Sequence, residues 1–115
     1  MRNQKIKHID KPWGYEKILE TNQGYTVKKL LMKRGHQCSY QYHEKKRETI
    51  YCLSGSLHII GDGRNKILLE GESITIHPFE KHRMRAVKED VLYLESSTSE
   101  LDDVVRIEDD YGRNN

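Results

Sequence analysis

The chain lacks any apolar run that could cross a membrane: nothing in its 115 residues approaches the roughly 18 consecutive apolar residues of a spanning helix. Its opening stretch, Met1-Arg-Asn-Gln-Lys-Ile-Lys-His8, has no apolar segment either. No secretory signal is therefore expected, and the expected location is the cytoplasm, with no membrane partner. Two cysteines, Cys38 and Cys52, are too few for a disulfide framework. Read on alternating strands, Cys38 faces away from Gln41 and Cys52 lies on the Glu48 face, so no bridge is expected between them. There is no basic block: 20 Lys and Arg stand against 18 Asp and Glu, for a net charge of +2. The one cluster, Lys45-Lys46-Arg47, reads as solvated turn, and no nucleic-acid partner is expected. A mildly basic pocket for a phosphorylated small molecule fits the charge. Internal repeats, low-complexity tracts and any long helical period before residue 98 are also missing.

What remains is the pattern of one small all-β domain. The length suits a single domain. Hydrophobic residues make up 35% and charged residues 33%, so apolar side chains must be used sparingly, as in a small barrel of alternating strands. Residues 1–10 read as a polar arm and residues 11–115 as the folded domain. Lys11-Pro-Trp-Gly-Tyr15 is a turn and anchor, with Trp13 as the apolar plug for one end. Strands are expected over 15–19, 25–33, 37–43, 48–54, 56–60, 66–69, 73–76, 82–87 and 91–95. Turn-forming residues such as Thr21-Asn-Gln-Gly24 and Gly61-Asp-Gly63 separate them. In the second strand Lys28 shares its phase with Thr26, Leu30 and Met32, an inward course open to it beside the solvated one. Ser97-Thr-Ser-Glu-Leu-Asp-Asp103 reads as a short helix or turn, after which the tail folds back across the domain.

The chemistry concentrates between Gly35 and Gly55. Gln41 and His43 are two apart, so on a strand they share one face, together with Gln37 and Ser39. That face is polar, as a cavity wall is and an apolar core is not. Glu48 follows after a short polar break, and His82 lies far downstream. An amide oxygen, two imidazoles and a carboxylate form a mixed nitrogen and oxygen set suited to one divalent ion. The donor set by itself does not choose among zinc, manganese, iron, cobalt and nickel; zinc is the first expectation.

The Gly35–Gly55 segment resembles the first cupin motif, Gly-x5-His-x-His-x3/4-Glu-x6-Gly, with Gln41 where the first His normally stands. Gly71 to Ala86 matches the spacing of the second motif, with Gly71 and His82 in place. His77, Phe79 and Ala86 depart from its usual Pro, Gly and Asn, so the loop before His82 is expected to differ. Lys11-Pro-Trp-Gly-Tyr15, Ser39-Tyr-Gln-Tyr-His43 and the tail Asp102-Asp-Val-Val-Arg-Ile-Glu-Asp-Asp-Tyr-Gly-Arg113 occur in that order. Together they resemble the type II mannose-6-phosphate isomerases, also found as the C-terminal domain of bifunctional mannose-1-phosphate guanylyltransferases.

That resemblance implies a cupin jelly-roll barrel with Gln41, His43, Glu48 and His82 as metal ligands. It implies interconversion of mannose 6-phosphate and fructose 6-phosphate through an enediol, with a sugar phosphate as the small-molecule partner. Arg106 and Arg113 are the candidates for the phosphate, with Lys28 as a further one. The base is unassigned, with His36, His58, His77 and Glu95 open. Two rival readings stand beside the isomerase: a sugar-binding or sugar-phosphate-binding cupin without catalysis, and another metal cupin enzyme, an oxygenase or a sugar epimerase. A homodimer is expected, because a short barrel exposes edges and apolar faces that a second copy covers.

Overall fold

The stretch from Thr26 to Met32 shows how this sequence makes its fold. Thr26, Lys28, Leu30 and Met32 are buried while Val27, Lys29 and Leu31 are half-buried, a period of two that sends one face inward. The computed structural model describes residues 1–113, and among them there are strands and turns but no helix. The strands are β1 (Lys7–Lys11), β2 (Gly14–Thr21), β3 (Thr26–Met32), β4 (Tyr40–Tyr42), β5 (Glu48–Ser54), β6 (Leu57–Gly61), β7 (Asn65–Leu68), β8 (Ser73–Ile76), β9 (His82–Ala86), β10 (Val91–Ser97) and β11 (Val105–Glu108). They form a six-stranded sheet, β1-β2-β3-β10-β5-β8, and a five-stranded sheet, β11-β4-β9-β6-β7. The strand pairings within both sheets are antiparallel. This is a cupin jelly roll.

Three expectations are corrected, and one left open is decided. The sheets are not closed into one hydrogen-bonded barrel: β1 and β8 edge one sheet, β11 and β7 the other. The polar arm is not wholly separate, since Lys7–Lys11 pairs residue by residue with Ile18–Gly14. An edge strand can be this polar because only one of its sides needs a partner. Of the helix or turn expected over residues 97–103, the structure forms the turn, and strand β11 follows it. The turn's Ser and Thr suit a cap, but no apolar period follows for a helix to bury. Finally, only Tyr40–Tyr42 of the stretch read as a strand over 37–43 is regular. Gln37 makes an isolated bridge to Arg85, and Cys38 and Ser39 are both buried, so the expected alternation breaks there. Cys38 thus faces inward, not away, and both cysteines are free.

The apolar core fills one end of the sandwich with Leu30, Met32, Cys52, Leu57, Met84, Val91 and Tyr93, and Trp13 packs into it. Gly14 is needed beside that indole: its φ is 156°, and a Cβ there would lie 1.8 Å from the Leu31 carbonyl oxygen.

Candidate metal centre and its cavity

On four central strands the inward phase changes character along its length. Lys28 is followed by Leu30 and Met32, Glu48 by Ile50 and Cys52, His82 by Met84 and Ala86. On β10, Val91 and Tyr93 precede Glu95. Antiparallel pairing gathers the polar positions at the same end. On the six-stranded sheet, Glu16, Lys28, Glu95 and Glu48 lie on the adjacent strands β2, β3, β10 and β5, with Lys28 directly opposite Glu95. On the facing sheet Arg106 is opposite Gln41, which is opposite His82. A cavity of about 430 Å³ separates the two rows, lined by Gln41, Glu48, Glu95 and Arg106 among others.

His43, Glu48 and His82 form a buried cluster in which one ligand atom of each lies within 4.8 Å of the others. His43 Nδ1 donates to the Asp103 carbonyl at 2.5 Å and His82 Nδ1 to the Glu80 carbonyl at 2.8 Å. A carbonyl can only accept, so each Nδ1 carries a proton and each ring turns its Nε2 inward, towards Glu48. Those Nε2 atoms lie 3.3 Å and 3.2 Å from Glu48 Oε1. His82 Nε2 is within ion-pair distance but is not aligned for a hydrogen bond, and it is a buried nitrogen without such a partner. Two ring nitrogens converging on a carboxylate in a buried site call for positive charge between them, from protons or from a metal ion. The donor set fits a divalent ion.

The electrostatics agree. Burial works against the charge of Glu48, but the adjacent His43 and His82 rings and the Lys46 ammonium outweigh it and hold the carboxyl well below the usual range. Burial likewise disfavours a charged His82, yet the neighbouring Glu48 carboxylate raises its pKa overall. The site attracts positive charge, whether protons or a metal supply it. Gln41 lines the same cavity, and its amide oxygen accepts from Ser39 Oγ at 2.9 Å, which orients the amide.

Glu95 stands deep in the cavity with only 8% exposure. Burial, then the neighbouring Glu48 charge, pushes its pKa up, while Lys46 and Lys28 pull it back, leaving it at about 7. Lys28 took the inward course and is 8% exposed, its Nζ 3.0 Å from Glu16 Oε1. Burial opposes its charge, but Glu95 and Glu16 together raise its pKa.

Of the other expected residues, Arg106 and Arg113 line the cavity. Arg113 also pairs with Asp109 through Nε at 3.0 Å and Nη2 at 2.9 Å. The three other candidate histidines do not line the cavity. His36 Nδ1 donates to the Arg34 carbonyl, and His58 lies on β6 in the phase opposite to buried Leu57 and Ile59. His77 is exposed and accepts from Arg47 Nε at 3.2 Å. None of the three is in place to act as the base.

Two participants escaped the sequence reading. Lys46, taken as solvated turn, is 6% exposed with its Nζ 3.6 Å from Glu48 Oε2. Asp103 fixes the loop that carries it. No local signal separates Lys46 from Lys45. The loop before His82 keeps the glycine-type corner despite its change of residue: Phe79 has φ 67°, stacks on Tyr42, and donates its N–H to the His43 carbonyl at 2.7 Å.

The family described as mannose-6-phosphate isomerase C-terminal matches residues 2–109. The mannose-1-phosphate guanylyltransferase ManC of Salmonella typhimurium is 32% identical over 111 residues, covering 93% of this chain and 23% of its own. The xanthan biosynthesis protein XanB of Xanthomonas campestris is 31% identical, covering 93% and 24%. The chain thus spans about a quarter of the length of these curated relatives. Among solved structures, KdgF from Halomonas sp. superposes with a TM-score of 0.76 at 18% identity, covering 84% of this chain and 88% of that one. An RmlC-like cupin from Shewanella frigidimarina gives 0.74 at 18%, covering 84% and 86%. At such identities the structures speak for the fold alone. No helix among the described residues is long and apolar enough to cross a membrane. A cupin sandwich with a His-Glu-His cluster, matched by the family description along nearly its whole length, belongs to the mannose-6-phosphate isomerase C-terminal family.

Proposed function

We propose that this chain is a metal-dependent aldose–ketose isomerase that interconverts mannose 6-phosphate and fructose 6-phosphate. The observation that carries the reading is the pairing of the His43–Glu48–His82 cluster, of which His43 and Glu48 line the cavity, with a carboxyl group in the same cavity, Glu95, whose pKa lies at about 7. The cavity, about 430 Å³, falls within the range of about 300–1,000 Å³ usual for small-molecule sites.

Gln41, His43, Glu48 and His82 are the residues that would hold the ion. When bound, a divalent ion there supplies a Lewis acid for the sugar oxygens on which charge develops. Glu95 is the proton carrier. A carboxyl with a pKa near the working pH takes a proton from C2 of the aldose and returns it to C1 with similar ease. Lys28 and Lys46 temper the negative charge around it, and Glu16 keeps Lys28 in place. Arg106 and Arg113 bind the phosphate, for which guanidinium offers paired donors. Asp109 braces Arg113 for that task.

The test is interconversion of the two sugar phosphates by metal-stripped protein reloaded in turn with Zn, Mn, Co, Ni and Fe(II). Turnover that depends on a metal supports the isomerase and identifies the working ion. Folded protein that binds a metal but turns over neither sugar with any of them rejects the isomerase in favour of a sugar-phosphate-binding cupin.

A further inference from the structure

Asp103, in the connection between β10 and β11, touches the candidate metal centre in two ways. Its backbone carbonyl accepts the His43 Nδ1 proton at 2.5 Å. Its carboxylate accepts three consecutive backbone N–H groups of the loop between His43 and Glu48: Glu44 at 3.0 Å, Lys45 at 2.7 Å and Lys46 at 2.8 Å. The loop has the composition of a solvated turn, and nothing in Glu44-Lys-Lys-Arg47 favours one inward lysine. Three donors gathered on one anionic acceptor set its course and turn Lys46 towards Glu48 Oε2.

We infer that Asp103 is a positioning residue of the metal centre, and that through it the C-terminal tail is a structural part of that centre. Three residues further on, the same tail carries Arg106, in register against Gln41. The tail is fastened again where Tyr111 Oη donates to the Gln37 carbonyl at 2.9 Å and Gln37 Nε2 donates to Asp110 at 2.7 Å. One segment therefore orients a ligand imidazole, shapes the ligand loop and presents a cavity arginine. Seating the tail and taking up the ion are linked, so each favours the other. This inference rests on the reading of His43, Glu48 and His82 as a metal site.

Zinc affinity by chelator competition and the visible spectrum of the Co(II)-loaded protein test it in the full chain, in Asp103→Asn and in Asp103→Ala. Asn keeps one acceptor oxygen but sets an NH2 against donor amides, and Ala removes all three contacts. Zinc affinity is expected to fall about tenfold or more, further in Ala than in Asn, with an altered Co(II) ligand-field spectrum. Unchanged affinity and spectrum in folded variants, with only a lower melting temperature, would reduce Asp103 to a structural role and overturn the inference. Hydrogen exchange on the zinc-loaded natural protein tests the same point without a variant. The amides of Glu44, Lys45 and Lys46 are expected to be protected, and exchange as fast as a free loop overturns the proposal. If the natural protein takes up neither zinc nor cobalt, the metal reading falls and this inference with it. If it binds them and both variants match it, only the inference falls.

Discussion

Replacing Glu95 by Gln in metal-stripped protein should stabilise the fold at alkaline pH and leave it nearly unchanged at acid pH. Burial and the Glu48 charge raise the Glu95 carboxyl from an ordinary 4.5 to about 7. Below the lower value both the folded and unfolded chains hold the proton, and the group contributes its full stability. As pH rises through the interval, the unfolded chain ionises while the folded one does not, so stability is lost; above about 7 the loss is complete. The interval from 4.5 to about 7 corresponds to a loss on the order of 3 kcal/mol. Gln does not titrate and escapes it. In urea, with a slope of about 1–3 kcal/mol/M, the variant's midpoint should exceed the parent's by on the order of 1–3 M at pH 8. The two midpoints should converge towards pH 5. The metal must be removed first, because a cation beside Glu95 would favour its charged form. A difference that stays constant between pH 5 and 8, or a Glu95→Gln protein less stable than the parent at pH 8, refutes the account of Glu95.

Three further outcomes are expected. Lys28→Met leaves Glu16, 3.0 Å from the lost ammonium, buried without its partner. The cost should be about 3–5 kcal/mol in urea unfolding at pH 7, and adding Glu16→Gln should restore most of it; a double variant no better than the single one contradicts the pairing. His82→Ala removes one converging ring nitrogen and should weaken zinc binding about tenfold or more by chelator competition; unchanged affinity excludes His82 as a ligand. Arg106→Ala should raise KM for mannose 6-phosphate far more than for mannose in steady-state kinetics, and an equal effect on both removes Arg106 from the phosphate site.

Several site features were legible because they depend only on local period. Glu48–Ser54 and Ser73–Ile76 are strands over the residues that alternation marks. The phase that Lys28 shares with Leu30 and Met32 was legible too, but the sequence favoured a solvated lysine there, and its inward course was decided only when that phase formed the core. The His43–Glu48–His82 set was legible from donor chemistry and motif spacing. The regular strand expected over 37–43 was not there, because Gln37 engages Arg85, Asp110 and Tyr111, residues 48 to 74 positions away. The base was not legible either. His36, His58, His77 and Glu95 are equal as chemistry, and only Glu95 occupies an inward site.

The sequence by itself determined most of the strand set, though not β1 and β11, together with the polar-to-apolar change along the inward faces and the kinds of ligand available. Those are properties of neighbours in the chain: a period of two and the donor atoms of each side chain. Only the tertiary structure decided which of several equivalent groups meet. It brought Lys46 inward and left Lys45 exposed, through an acceptor 57 residues away from Lys46. It set Lys28 opposite Glu95 across a strand pairing, and Arg106 opposite Gln41 across another. Such contacts join distant parts of the chain through pairing register and hydrogen-bond geometry, which no local run of residues encodes.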